Sequence, residues 1–253
     1  MSGMVHLIGA GPGDPELLTL KAVRMLREAT AVVYDRLVSP EVLALAPERA
    51  RRFCVGKAPG KHTVPQDRIN ELLVDLARAG FTVARLKGGD PFIFGRGFEE
   101  AMALNAAGVA WDVAPGVTAA QGCAAAAGVP LTHRGLAHSV RYVTGHCRAD
   151  GPLDLDWAGL SDPQTTLVIY MGAATMARIA GEMIDRGLPP STPVLAVSEG
   201  TTPRERRVLT RLDRAAADAG ALPSPLLFVV GRVAALYVDA PVEAFAAREA
   251  AHA

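Results

Sequence analysis

The apolar residues Phe81-Thr82-Val83-Ala84 run into Arg85-Leu86-Lys87-Gly88-Gly89-Asp90-Pro91-Phe92-Ile93-Phe94-Gly95-Arg96-Gly97. Paired glycines let a backbone approach a ligand closely and adopt positive φ without a Cβ penalty. A carboxylate just past a strand end can accept hydrogen bonds from whatever docks there. Taken alone, Gly-Gly-Asp-Pro reads equally as a turn with Asp90 exposed. It does not stand alone. Apolar runs elsewhere end in Asp35-Arg36, in Gly56-Lys57, in Thr144-Gly145-His146, in Met171-Gly172 and in Glu199-Gly200-Thr201. In a parallel sheet the carboxyl ends of the strands share one edge, and ligands bind in the crevice outside it. Chemistry gathered at strand ends therefore points to one site.

Near the N-terminus, Gly9-Ala10-Gly11-Pro12-Gly13-Asp14-Pro15 follows an apolar run, and Asp35 falls 22 residues past Gly13. That spacing invites a dinucleotide-binding reading. Two details oppose it. The third glycine of the fingerprint would be position 14, which is Asp. Pro12 also lacks the N–H that a pyrophosphate would use. The loop suits a ligand without phosphate, or a simple tight turn. A nicotinamide-binding oxidoreductase and a non-catalytic nucleotide-binding module remain the alternatives from other classes.

The elements that must position these residues alternate along the chain. Strands are expected at 5–8, 31–34, 52–55, 82–86, 111–113, 140–143, 166–170, 194–197 and 226–230. Helices are expected at 19–27, 66–79, 98–107 and 174–186, the last two ending at Gly108 and Gly187. This alternation predicts an α/β chain with a largely parallel sheet. A boundary at Pro115-Gly116 divides it into two α/β domains, 1–115 and 116–253, with a groove between them that favours a ligand. Residues 148–164 read as a surface loop.

Composition fits a globular enzyme: 253 residues, half of them apolar. The 26 basic and 26 acidic side chains cancel, which removes a global electrostatic case for nucleic acid. Cys54, Cys123 and Cys147 form no C-x-x-C pair, as expected for reduced thiols in a cytoplasm and no metal site. No apolar run is long enough to span a bilayer.

With these motifs in hand, the chain resembles the uroporphyrinogen-III C-methyltransferases of the tetrapyrrole methylase (class III methyltransferase) fold, over nearly its whole length. The segments that carry the resemblance are Gly9 to Pro15, Val33-Tyr34-Asp35-Arg36-Leu37-Val38, Val55-Gly56-Lys57, Arg85 to Gly97, Pro115-Gly116-Val117-Thr118, Pro130-Leu131-Thr132-His133-Arg134, Val143-Thr144-Gly145-His146, Tyr170-Met171-Gly172 and Glu199-Gly200-Thr201. The resemblance implies two α/β domains with an active-site trough between them. It implies S-adenosylmethionine as methyl donor, with S-adenosylhomocysteine as product, contacted by Pro12, Gly88, Gly89, Asp90, Ile93, Thr118, Ala119, Met171 and Gly200. Asp35 matches the family's general base and Lys57 its proton donor. Uroporphyrinogen III is the implied substrate, methylated at carbons 2 and 7 through precorrin-1 to precorrin-2, towards cobalamin or sirohaem. A later precorrin or cobalt-precorrin methylase is the alternative on the same fold. A cytoplasmic homodimer is implied as well, with no further module attached.

A substrate with eight carboxylates calls for a locally basic trough. Arg36, Arg96, His133 and Arg134 are its candidate contacts, since the guanidinium fork matches a carboxylate. Arg204, Arg206 and Arg207 are further candidates, or else an ordinary solvated face. Two positions depart from the family pattern: Phe98, where a second glycine is usual, and Ala174, where Asn is frequent.

Overall fold

The computed structural model describes residues 3–56, 64–146 and 153–239. Strand β1 (Met4–Gly9) leads through a short turn into α1 (Leu20–Glu28), β2 (Ala31–Tyr34), α2 (Pro40–Ala44) and β3 (Arg51–Cys54). Then come α3 (Gln66–Arg78), β4 (Thr82–Lys87), α4 (Gly97–Ala106) and β5 (Ala110–Ala114). These five strands form one sheet in the order β3-β2-β4-β1-β5, every pair parallel. Local chemistry sets the helices. The Thr19 hydroxyl accepts the Ala22 N–H at 3.1 Å, capping α1, and Met25 and Leu26 of that helix are buried. Apolar spacing along α3 puts Ile69, Leu73 and Leu76 inside. Helices α1 and α2 cover one face of the sheet, and α3 and α4 cover the other.

Helix α5 (Ala119–Ala126) follows, made almost wholly of small residues. The second sheet contains β6 (Ser139–Thr144), β7 (Thr165–Tyr170), β8 (Pro193–Ser198), β9 (Arg206–Arg211) and β10 (Leu226–Val230), in the order β6-β7-β10-β8-β9. Helices α6 (Trp157–Leu160), α7 (Met176–Asp185) and α8 (Ala215–Asp218) pack on one face; α5 and a 3₁₀ turn at Arg232–Leu236 pack on the other.

This sheet departs from the expected parallel arrangement. Only β6 and β7 pair parallel; β7–β10, β10–β8 and β8–β9 are antiparallel. The reason lies in the connections. Only residues 199–205 join β8 to β9, too few for the crossover that a parallel neighbour demands. Strand β9 was not expected at all, and neither were α2, α6 and α8. Its Arg206 and Arg211 face solvent on a sheet edge, where charge discourages pairing with another chain. Because β7 and β8 are both antiparallel to β10, strands β6, β7 and β8 still run the same way. The argument from strand ends therefore survives the change of topology.

Candidate functional site

The carboxyl ends of the first sheet face those of β6, β7 and β8 across a seam built from short contacts. The Asp14 N–H, after β1, reaches Thr201 Oγ1, after β8, at 3.2 Å. At the end of β7 the Tyr170 hydroxyl lies 2.5 Å from Thr118 Oγ1 and accepts the Ala120 N–H at 3.0 Å. Phe94, in the loop after β4, packs on the Tyr170 ring with centroids 5.0 Å apart. Thr118 precedes α5 but gives that helix no side-chain cap. Its hydroxyl is engaged by Tyr170 instead.

Within this seam the glycines form a cradle of bare backbone. Gly89 has a φ of +67°, a conformation that L side chains rarely adopt. It exchanges backbone hydrogen bonds with Gly11 at 2.7 and 3.2 Å. A Cβ on Gly116 would lie 2.2 Å from the Gly89 carbonyl oxygen, so no side chain fits there. Asp90 fastens the cradle: Oδ1 accepts the Phe92 N–H at 2.8 Å and Oδ2 accepts the Gly116 N–H at 3.0 Å. The structure thus brings together Pro12, Gly88, Gly89, Asp90, Thr118, Ala119 and Gly200. Of the candidate donor contacts, the apolar side chains of Ile93 and Met171 stay open at the rim, at 38% and 49% exposure.

Backbone strain marks the same rim. Among the described residues, the non-glycine positions with positive φ are Phe94, Arg96, Met171, Glu199 and Thr201. All five follow strands at the seam. Strain of this kind persists where surrounding structure over-determines it, and it concentrates at functional sites.

Asp35 stands at the end of β2. Its Oδ1 accepts the Leu37 N–H at 3.0 Å, and its Oδ2 lies 3.7 Å from the Arg85 guanidinium. Arg85 belongs to a buried cluster that sequence reasoning missed. Its Nε donates to Glu100 Oε1 at 3.0 Å, and Lys87 Nζ donates to the same oxygen at 2.9 Å. Gln66 also reaches that oxygen, at 3.3 Å. Burial, and then the Arg85 charge, push the Lys87 amine below its ordinary value. The signal was present in the sequence: a central parallel strand is normally apolar on both faces, and Arg85 and Lys87 interrupt one. Tyr170 was missed too, although it precedes the flagged Met171. Burial raises its hydroxyl pKa.

The basic candidates divide. Arg36 lies over Gly56, beside Asp35; a Cβ on that glycine would meet the Arg36 Cγ at 2.6 Å. Arg96 forms a fork onto Glu99, at 2.8 and 2.7 Å. His133 and Arg134 are exposed in a turn closed by mutual bonds between His133 and Ala137, both 3.0 Å. That turn leads into β6 at its amino end. Arg207 has a structural task, donating to the Ala126 carbonyl at 2.7 Å and pairing with Glu205. Lys57 and Cys147 lie outside the described residues. Among the described residues, no group of three or more His, Cys, Asp or Glu is placed to hold a metal ion, and no helix is long and apolar enough to cross a membrane.

Comparison with known proteins adds to this geometry. Residues 4–216 match the family of tetrapyrrole (corrin/porphyrin) methylases. The chain is 62% identical over 239 residues to a uroporphyrinogen-III C-methyltransferase of Paracoccus denitrificans, covering 94% of this chain and 83% of that protein. It is 53% identical to a siroheme synthase of Methylococcus capsulatus, but spans only 50% of that protein's length. In structure it is similar to a uroporphyrin-III C-methyl transferase from Thermus thermophilus complexed with S-adenyl homocysteine. The TM-score is 0.80 and the identity 45%, over 93% of this chain and all of that one. A match over most of the chain, joined to two sheets meeting at a glycine-lined seam, makes this protein a member of the tetrapyrrole methylases.

Proposed function

We propose that the chain methylates uroporphyrinogen III at carbons 2 and 7, using S-adenosylmethionine, and yields precorrin-2 by way of precorrin-1. The observation that carries this reading is the 62% identity with an enzyme of that name, extending over both halves of the seam. The residues suit the donor. Bare backbone at Gly88 and Gly89, the start of α5 at Thr118 and Ala119, and the apolar rim of Ile93 and Met171 accept an uncharged nucleoside. Pro12 and Asp14 disfavour phosphate, as the donor requires. Gly200 completes that wall, while Asp90 holds its shape. S-adenosylmethionine, when bound, supplies an electrophilic methyl group on a sulfonium.

The chain's own task is to manage charge on the porphyrinogen. A pyrrole carbon that gains a methyl becomes part of an azafulvenium-like cation and must then lose a proton. Asp35 places a carboxylate at the trough for that cation and accepts the proton. Lys57 is proposed as the proton donor. Arg36 and Arg96 meet substrate carboxylates nearest the seam, with His133 and Arg134 proposed for those farther out. We further propose a cytoplasmic homodimer, which light scattering at micromolar concentration tests; a monomer would refute it.

Anaerobic incubation with uroporphyrinogen III and methyl-labelled donor is expected to give successive mass gains of one and two methyl groups. Failure to transfer either, or transfer only to a later precorrin, would overturn the assignment.

A further inference from the structure

Asp35 is held from two directions, and one of them leads deep into the protein. Arg85 is 3% exposed and Glu100 fully buried, whereas the Asp35 side chain is 27% exposed. Among the described residues, Asp35 therefore forms an open end of the cluster that lies between the first sheet and helices α3 and α4. Strand register explains this: Val33 pairs with Arg85 and Tyr34 with Leu86, so the next residue, Asp35, stands level with Lys87. Side chains alternate along strands, which puts Arg85 and Lys87 on one face, towards Glu100.

The guanidinium is a rigid planar fork. With Nε fixed on Glu100 Oε1 at 3.0 Å, its NH1 arm has little freedom; it donates to the Leu86 carbonyl at 2.9 Å and faces Asp35 Oδ2 at 3.7 Å. Stability alone gives a weak account of such an arrangement, because apolar residues of similar volume usually hold a core as well as a buried ion cluster does. Glu100 Oε1 takes all three donors from Gln66, Arg85 and Lys87, while buried Oε2 has no partner among the described residues. What this geometry does deliver is direction. Glu100 aims Arg85, and Arg85 with the Leu37 N–H aims the Asp35 carboxylate.

We infer that Arg85, oriented by Glu100, is a positioning residue for methyl transfer, acting through Asp35. The inference rests on the proposed role of Asp35. Lysine at position 85 would keep the buried charge but lack the fork, so it cannot grip Glu100 and face Asp35 together.

The test compares wild type, Arg85→Lys, Asp35→Asn and the double variant. Each is measured for thermal melting, donor affinity by calorimetry, substrate KM and single-turnover methylation. Arg85→Lys is expected to keep donor affinity and KM within about twofold and to slow turnover about tenfold, since small misplacements of a reacting group cost that much or more. Added to Asp35→Asn, it is expected to change the rate less than about twofold, because no carboxylate remains to be aimed. Glu100→Gln keeps the volume and removes the charge that Arg85 grips; it carries the same comparison where Arg85→Lys does not fold. Full turnover in a folded Arg85→Lys, or losses that multiply in the double variant, would overturn the inference. If Asp35→Asn itself keeps full turnover, the role of Asp35 fails first. If Asp35→Asn is slow while Arg85→Lys is not, only the positioning role fails.

Discussion

Asp90 looked from the sequence like a group turned towards a ligand, yet both its oxygens hold the protein's own backbone, at Phe92 and Gly116. Its effect on donor binding is therefore expected to run through the shape of the glycine cradle. Asp90→Ala should weaken donor affinity and also lower stability by about 2 kcal/mol, the scale of a hydrogen-bonded charge lost from a partly buried site. Calorimetry and thermal melting on one sample separate the two effects; unchanged melting would show that the backbone bonds contribute little. The thiols offer a second check. Cys123 is buried against Gly200, and burial pushes its pKa up to about 12, while Cys54 is exposed. Since the thiolate is the reactive form, iodoacetamide at pH 8 should alkylate Cys54 and spare Cys123 in the folded protein. Mass mapping that finds Cys123 modified first would contradict the buried packing of α5.

At the level of elements, α5 depends on a residue from another element. Thr118 stands where a cap belongs, but the phenol of Tyr170 takes the Ala120 N–H. Tyr170→Phe should lower stability by about 1 kcal/mol, as for a lost helix cap, and weaken donor binding through Thr118 and Ala119. Melting and donor titration would both register it; no change in either would show that water replaces the phenol. The strands and long helices were legible because their apolar residues recur at the right period and their ends carry Thr, Gly and Pro. Strand β9 was not, since Arg206-Arg207-Val208-Leu209-Thr210-Arg211 has the composition of a solvated face and becomes a strand only by pairing with β8. The strand-end residues of the site were legible for the same reason as the strands. The Arg85–Glu100 cluster was not, because a sequence does not say which helix will cover a charge.

For the whole molecule, one buried group couples stability to acidity. His6, in central strand β1, is almost fully buried, and its Nδ1 has no partner among the described residues. Burial lowers its pKa in the folded state from the usual 6.5, against the opposing pull of Asp112. The unfolded chain then takes up a proton first as pH falls below 6.5. The contribution is neutral above that value and grows more destabilising as pH drops towards the folded-state pKa. Melting temperature should fall from pH 7 to pH 5, and His6→Gln should flatten that slope; an identical slope in both would place the acid sensitivity elsewhere. A different consequence follows from the five left-handed side chains at the seam. Glycine at such a position relieves about 1–2 kcal/mol of backbone strain. A laboratory screen for heat resistance alone would be drawn to Met171, Glu199 and Thr201, and would erase the side chains that shape the rim. Thermostable descendants that still turn over should therefore leave this rim as it stands and carry their gains on distant helices.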